Sequence, residues 1–114
     1  MLQTQYSEVF ERLARSSNNV GRGYYDAIMW YNNGLEFNKL GQNENAIVCY
    51  RKPIDINSQF AEALNNLGAR VMRTGNYKLA LVFYDMAIAI NPNFTLSQQN
   101  KLQVSNIIRS QNNQ

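Results

Sequence analysis

Apolar residues in the middle of the chain recur at helical spacing, in short blocks that are separated by turns. In one block, Leu64, Leu67 and Val71 lie three and four residues apart, which places their side chains on one face of a helix. A Thr-Gly-Asn sequence at residues 74–76 interrupts the pattern, and a second apolar block with the same spacing occupies residues 77–88. An Asn-Pro-Asn sequence follows, and proline is common just beyond a helix end. The pattern predicts two helices joined by a tight turn.

Both helices recur with a period of 34 residues. Shifting the chain against itself by that distance gives 11 identical pairs in 34 positions, where roughly 2 would arise by chance, and such a period is typical of stacked supersecondary units. Gly68 and Ala80 are expected where the two helices of the second unit cross, with Tyr77 and Tyr84 filling the space beside them. The identical pairs are Ala27/Ala61, Asn32/Asn66, Gly34/Gly68, Gly41/Gly75, Ala46/Ala80, Val48/Val82, Tyr50/Tyr84, Ile54/Ile88, Ile56/Ile90, Asn57/Asn91 and Phe60/Phe94.

The repeats and their flanks predict one all-α domain that spans residues 1–114. We expect repeat one at residues 27–60 and repeat two at residues 61–94. An apolar stripe before them predicts an N-terminal helix at residues 3–16. After them, residues 95–109 carry apolar positions among Gln, Asn and Ser, which suits a C-terminal capping helix that covers a repeat on one side and meets water on the other.

The residues of the repeat resemble the tetratricopeptide repeat (TPR), in which Trp or Leu, Leu-Gly, aromatic, Ala and Pro positions recur within 34 residues. The resemblance implies a solenoid of helix-turn-helix units, here two full repeats flanked by an N-terminal helix and a capping helix. Repeat one departs from the family pattern at Asn33, Asn43, Pro53 and Ser58. The matching residues are Leu64, Leu67, Gly68, Gly75, Tyr77, Ala80, Tyr84, Ala87 and Pro92 in repeat two, and Trp30, Gly34, Phe37, Gly41, Ala46 and Tyr50 in repeat one.

Pro53 is the sharpest of these departures, because the equivalent residue of repeat two is Ala87. A proline inside a helix removes one backbone hydrogen bond, here to the carbonyl of Cys49, and crowds that carbonyl. Three interpretations stay open at this point. The helix ends or kinks early, the packing between the units loosens enough to permit helix exchange with another copy, or the proline is an engineered or damaging change.

The composition excludes most catalytic and metal chemistry. The chain has no His, which removes the commonest general base and the usual metal ligand. Its one Cys, Cys49, cannot form an internal disulfide and is expected to be a small buried residue, which favours a reducing compartment. The 8 carboxylates fall mostly on predicted polar faces. We therefore expect a protein that is not an enzyme and that has no catalytic residue, metal site or cofactor.

Charge and hydropathy narrow the classes of partner. The 11 basic and 8 acidic residues give a net charge of +3, and the basic residues are scattered, whereas nucleic-acid binding usually needs a dense basic face. No stretch approaches the roughly 18 apolar residues of a membrane span. The first residues also lack the basic region and apolar run of a secretory signal. The sequence favours a cytoplasmic protein that binds neither membrane nor nucleic acid.

With catalysis and metal binding disfavoured, we expect the chain to function through a surface that binds a partner. The TPR resemblance implies that the chain binds a protein or peptide in the concave groove along the first helices, as a scaffold or adaptor. Ile28 and Glu62 are among the residues that the resemblance places on this groove. Amides both donate and accept hydrogen bonds, and Tyr and Arg are typical of binding hot spots. The candidate contact residues are Tyr31, Asn32, Leu35, Lys39, Asn65, Asn66, Met72 and Arg73.

Some members of the family clamp the C-terminal carboxylate of heat-shock chaperones with Lys, Asn and Arg. The corresponding positions here carry Tyr31, Leu35, Asn66, Leu96 and Asn100. Only Asn66 fits, so the resemblance disfavours this subclass. Two other functions stay open: structural self-association as a homodimer or by helix exchange, since two full repeats are few for a continuous core, and RNA binding by helical repeats, which needs a basic cluster.

Overall fold

The structure, a computed structural model, describes residues 23–113 as five α-helices without a β-strand in that range. The helices are α1 (Gly23–Lys39), α2 (Asn43–Ile56), α3 (Ala61–Arg73), α4 (Tyr77–Ile90) and α5 (Thr95–Asn112). α1 packs against α2 and α3 against α4 as two hairpins, α2 joins the first hairpin to α3, and α5 packs on α4. This is the all-α helical-hairpin solenoid that the sequence predicts. The N-terminal helix expected at residues 3–16 lies outside the described residues.

The helix boundaries keep the 34-residue period of the sequence. α2 ends at Ile56 and α4 at Ile90, while α3 begins at Ala61 and α5 at Thr95. α5 therefore occupies the place that a first helix would take in a third unit. It continues to residue 112, beyond the end expected at residue 109.

Each hairpin closes on a contact between a glycine and a tyrosine. A Cβ atom on Gly34 would lie 2.5 Å from Cε1 of Tyr50, and one on Gly68 would lie 2.7 Å from Cε1 of Tyr84. Both tyrosines are almost completely buried, at 0% and 1% exposed. Close-packed interiors have no room for such an added atom. The structure confirms the expectation that Gly68 lies where the two helices of its hairpin come close together, with Tyr84 beside it.

The turn inside each hairpin also requires glycine. Gly41 has a φ of 72° and Gly75 a φ of 87°, in the left-handed region that costs other L-residues about 1–2 kcal/mol. In the second turn, the Oδ1 atom of Asn76 accepts a hydrogen bond from the Leu79 N–H at 3.3 Å and caps α4. The Thr-Gly-Asn sequence therefore ends one helix and starts the next.

Apolar contacts join the hairpins into one stack. The main core cluster draws residues from all five helices, including Trp30 of α1, Tyr50 of α2 and Val104 of α5. Val104 is completely buried and so anchors the inner side of α5. On the outer side, Lys101 Nζ lies 2.8 Å from Asp85 Oδ1 and links α5 to α4. The last helix is thus attached by both core and surface contacts.

α2 runs through Pro53 without ending. The Asn57 N–H donates to the carbonyl of Pro53 at 2.7 Å, as the Asn91 N–H donates to the carbonyl of Ala87 at 2.9 Å. α2 and α4 are both 14 residues long. The interpretation that the helix ends early at Pro53 is therefore wrong, because the buried proline is accommodated inside a helix of normal length for this repeat.

Candidate functional site

The first helices of successive units are joined by the same side-chain hydrogen bond at each step. The Nδ2 atom of Asn66 on α3 donates to the Tyr31 hydroxyl on α1 at 3.1 Å. The Nδ2 atom of Asn100 on α5 donates to Oδ1 of Asn65 on α3, also at 3.1 Å. Donor and acceptor are 35 residues apart in both pairs. The repeat thus places equivalent polar side chains in register on α1, α3 and α5.

Asn65 is the buried centre of this network. It is 2% exposed, and its Oδ1 also accepts from the Ser97 hydroxyl at 2.7 Å. Its Nδ2 donates to Oδ1 of Asn66 at 3.5 Å. Buried polar groups need such partners, and here they connect α3 with α5. The Asn65 side chain is engaged within the protein, whereas that of Asn66 stays partly exposed.

Tyr31 is a residue of α1, and its side chain packs near the start of α3. Its half-buried ring has centroid distances of 5.8 Å to Tyr50 and 5.1 Å to Phe60. Burial and the nearby Glu62 carboxylate raise the pKa of Tyr31, and the hydrogen bond from Asn66 opposes them. The phenol is therefore neutral at physiological pH, and it accepts from Asn66 while its own O–H is a donor.

A cavity of about 440 Å³ opens beside Tyr31. It lies between α1, the first turn of α3 and the connection that joins α2 to α3. Aliphatic and aromatic side chains form part of its wall, and amides and one carboxylate form the rest. The lining residues are Ala27, Ile28, Tyr31, Asn32, Asn57, Gln59, Phe60 and Glu62.

The other candidate contact residues lie along the same two helices and differ in exposure. Asn32 is exposed and lines the cavity. Leu35 and Met72 are half-buried and pack against the main core. Lys39 and Arg73 are exposed in the last turns of α1 and α3. Along these helices, the cavity thus lies at one end and the two basic residues lie at the other, where Lys39 Nζ is 3.4 Å from Glu36 Oε1.

Sequence reasoning missed the part of the cavity that comes from the connection between α2 and α3. Asn57, Gln59 and Phe60 line the cavity, but the candidates were sought on the first helices alone. A signal was present, because Asn57 and Phe60 recur one period later as Asn91 and Phe94. Residues that recur in a connection are as much a part of the repeated unit as those in its helices.

Three properties of residues 23–113 bear on their chemistry: side-chain clusters, helix apolarity and the state of the Cys49 thiol. Within residues 23–113, no group of three or more His, Cys, Asp and Glu side chains is placed to hold a metal ion. Over the same residues no helix combines the length and apolarity needed to cross a membrane. Cys49 is completely buried, and this burial raises the pKa of its thiol to about 12. The thiol therefore packs as a small apolar group, since the thiolate is the reactive form.

A relative and a solved structure resemble the chain. It is 29% identical over 90 residues to anaphase-promoting complex subunit 3 of Schizosaccharomyces pombe, a match that covers 79% of this chain and 13% of that protein. The chain therefore spans a small part of that relative's length. Its fold resembles the first TPR of Spaghetti (RPAP3) bound to the HSP90 peptide SRMEEVD, with a TM-score of 0.73, 15% identity and coverage of 94% of this chain and 82% of the other.

Two family models match the repeats. A model of the TPR repeat matches residues 34–75, and a model of the tetratricopeptide repeat matches residues 61–94. Together they cover residues 34–94, which is more than half of the chain and includes both glycine–tyrosine contacts. The period, the two hairpins and these matches agree: the chain belongs to the tetratricopeptide repeat family.

Proposed function

We propose that this chain is a non-enzymatic interaction module, a scaffold or adaptor that binds a segment of a partner protein along α1 and α3. The face beside Tyr31 carries the proposal, because a half-buried phenol, partly exposed amides and a cavity of about 440 Å³ lie together there. The structural neighbour is bound to a peptide, which supports the same use of the fold here. The buried, reduced Cys49 suits a cytoplasmic location.

Each candidate side chain has a distinct role in this proposal. Tyr31 supplies a rigid aromatic contact, while Asn32 and Asn66 hydrogen-bond to the backbone of the bound segment. Lys39 and Arg73 attract acidic residues at the far end of the same face. Leu35 and Met72 form the apolar surface between the cavity and the two basic residues. Asn65 positions Asn66 through their hydrogen bond.

Selection of displayed random peptides on the immobilised chain, followed by calorimetric titration of the best binders, tests this proposal. The double variant Tyr31→Ala, Arg73→Ala is expected to bind the selected peptides at least about tenfold more weakly, as is typical when hot-spot residues are truncated. The matched control is Val48→Ala, Arg51→Ala, which changes two exposed residues on α2 and should leave the affinity unchanged. The proposal would be contradicted if both double variants kept the wild-type affinity, or if both lost affinity to the same extent.

Two further measurements separate this function from the alternatives. Light scattering at high concentration distinguishes a monomer that binds peptides from a self-associating unit or a helix-exchanged dimer. A filter-binding assay with RNA at about 50 mM salt, where phosphate contacts are strongest, tests helical-repeat RNA binding. Dimerisation that abolishes peptide binding, or RNA binding that competes with the selected peptides, would replace the proposed function.

A further inference from the structure

The walls of the cavity beside Tyr31 suit a long aliphatic side chain. The rings of Tyr31 and Phe60 lie 5.1 Å apart between centroids and are tilted by 32°, and Ala27 and Ile28 add an aliphatic wall. The faces of aromatic rings carry a negative quadrupole that attracts a cation within about 6 Å. A volume of about 440 Å³ exceeds what one side chain fills, so the guest can enter with its flanking backbone.

The polar part of the cavity consists of amide groups, which both donate and accept hydrogen bonds, and one negative charge. Asn32, Asn57 and Gln59 contribute amide groups, and Oδ1 of Asn57 is held by the Gln59 N–H at 3.0 Å. Glu62 is the charged residue among the lining residues that the structure describes, and no Lys or Arg lines the cavity with it. The exposed Glu62 carboxylate takes part in neither of the ion pairs that residues 23–113 contain, Lys39–Glu36 and Lys101–Asp85.

The position of Glu62 decides the sign of charge that the cavity favours. Glu62 is the second residue of α3, so it lies beside the positive end of the helix dipole. That end corresponds to about half a positive charge, whereas the carboxylate carries a full negative charge. The balance is negative, and an acidic guest would have to approach Glu62 directly. A cationic guest instead meets a carboxylate, amide groups and aromatic rings.

We propose that this cavity is a specificity pocket for an arginine side chain of the bound segment. A planar guanidinium stacks on an aromatic face and donates up to five hydrogen bonds, which matches the rings of Tyr31 and Phe60 and the carboxylate of Glu62. Its methylene stem packs against Ile28. The inference rests on the proposed groove, and it adds that a partner places a basic residue at the start of α3.

Titration of the isotope-labelled full chain with two small probes tests the pocket directly by NMR. The probes are N-acetyl-arginine methylamide and N-acetyl-citrulline methylamide, which have nearly the same shape but differ in charge. We expect the arginine probe to shift the amide signals of Ile28, Asn32 and Gln59 and to bind about threefold to fivefold more tightly than the citrulline probe, the range of a partly exposed ion pair. Added salt should weaken the binding of the arginine probe and leave the binding of the citrulline probe unchanged.

Two variants provide a matched comparison. Glu62→Gln should abolish the preference for arginine over citrulline, whereas Glu44→Gln should preserve it, because Glu44 is the exposed second residue of α2 and lies outside the pocket. Equal binding of the two probes to the wild type, or an unchanged preference in Glu62→Gln, would overturn the inference. The proposed function would still hold in that case if the affinity of the selected peptides depended on Tyr31 and Arg73. The arginine pocket and the groove can therefore be tested separately.

Discussion

Gly68 and Tyr84 show how a single side chain controls the spacing of two helices. The Tyr84 ring covers the α3 backbone at Gly68, where an added Cβ would lie 2.7 Å from a ring carbon. Since the ring is 1% exposed, it cannot move aside without disturbing the core around it. Gly34 and Tyr50 repeat the contact one period earlier, so each hairpin has one such glycine at its helix crossing.

Gly68→Ala is expected to lower the free energy of unfolding by about 2 kcal/mol, because the overpacking penalty against a buried ring exceeds the gain in helix propensity. Urea unfolding of the variant measures the loss. In a Tyr84→Leu background the same change should be neutral or stabilising, because the ring carbon is gone. An equal loss in both backgrounds would show that the glycine acts through something other than this contact.

The thiol of Cys49 makes stability depend on alkaline pH. Burial raises its pKa from the ordinary 9.0 to about 12, so above pH 9 the unfolded chain loses a proton that the folded chain retains. Stability should therefore be level below pH 9 and fall as the pH rises toward 12. Tyr50, whose pKa burial raises from 10.0 to about 12, adds to the fall above pH 10.

Urea unfolding at pH 8, 9 and 10 measures this dependence. The wild type should lose stability between pH 9 and pH 10, and Cys49→Ala should show a smaller loss over that interval, because the Tyr50 phenol of the unfolded chain loses its proton only as the pH approaches and passes 10. A loss of the same size in the variant would mean that a different group titrates there.

At the scale of helices, Pro53 changes the hydrogen bonding inside one helix, and Asn65 connects two helices. Pro53 lies inside α2 and leaves the carbonyl of Cys49 without its helical N–H donor. Asn65 connects α3 to Ser97 and Asn100 on α5. The proline was visible in the sequence as a departure from Ala87. The role of Asn65 was not, because its partners depend on how α5 packs.

Pro53→Ala is expected to stabilise the chain by roughly 1–3 kcal/mol, since the backbone at this position is helical and alanine restores the missing hydrogen bond. Thermal unfolding of the two forms measures the gain. If the proline also promotes helix exchange, the substitution should shift any dimer toward monomer at equal concentration. An unchanged or lower melting temperature would show that the surrounding residues have adapted to the proline.

Asn65→Ala is expected to loosen α5, because the completely buried Ser97 hydroxyl loses its acceptor, at a cost of about 1–3 kcal/mol. Hydrogen exchange of the α5 backbone amides measures this loosening. Asn66→Ala is the matched control, since it keeps the hydrogen bonds of Asn65 to Ser97 and Asn100 and should leave exchange in α5 unchanged. Equal exchange in the two variants would contradict a specific role for Asn65 in holding α5.

For the whole molecule, the sequence predicts the fold better than the site. Three features of the sequence together predict the two hairpins. They are the period of 34 residues, the glycines at the crossings and turns, and the TPR resemblance. The cavity was harder to foresee. It forms where α1 meets the connection before α3, and such a meeting depends on the angle between units, which no local pattern encodes.

The candidate residues illustrate the same limit. Tyr31 and Asn32 line the cavity. Asn65, one residue before Asn66, is buried at 2% exposed. Helical spacing places both asparagines on adjacent sides of α3, but the contact with α5 determines which of the two is covered. Burial at the boundary between units therefore follows from packing rather than from periodicity.

The most direct test of peptide binding along α1 and α3 is to map where a selected peptide contacts the chain. Amide chemical shifts of the labelled full chain, recorded during titration with such a peptide, report this residue by residue. We expect the largest changes at Ile28, Tyr31, Asn32, Asn66 and Arg73, on the face formed by α1 and α3. Changes concentrated instead at exposed Val48 and Val82, on the outer helices α2 and α4, would contradict binding in the groove.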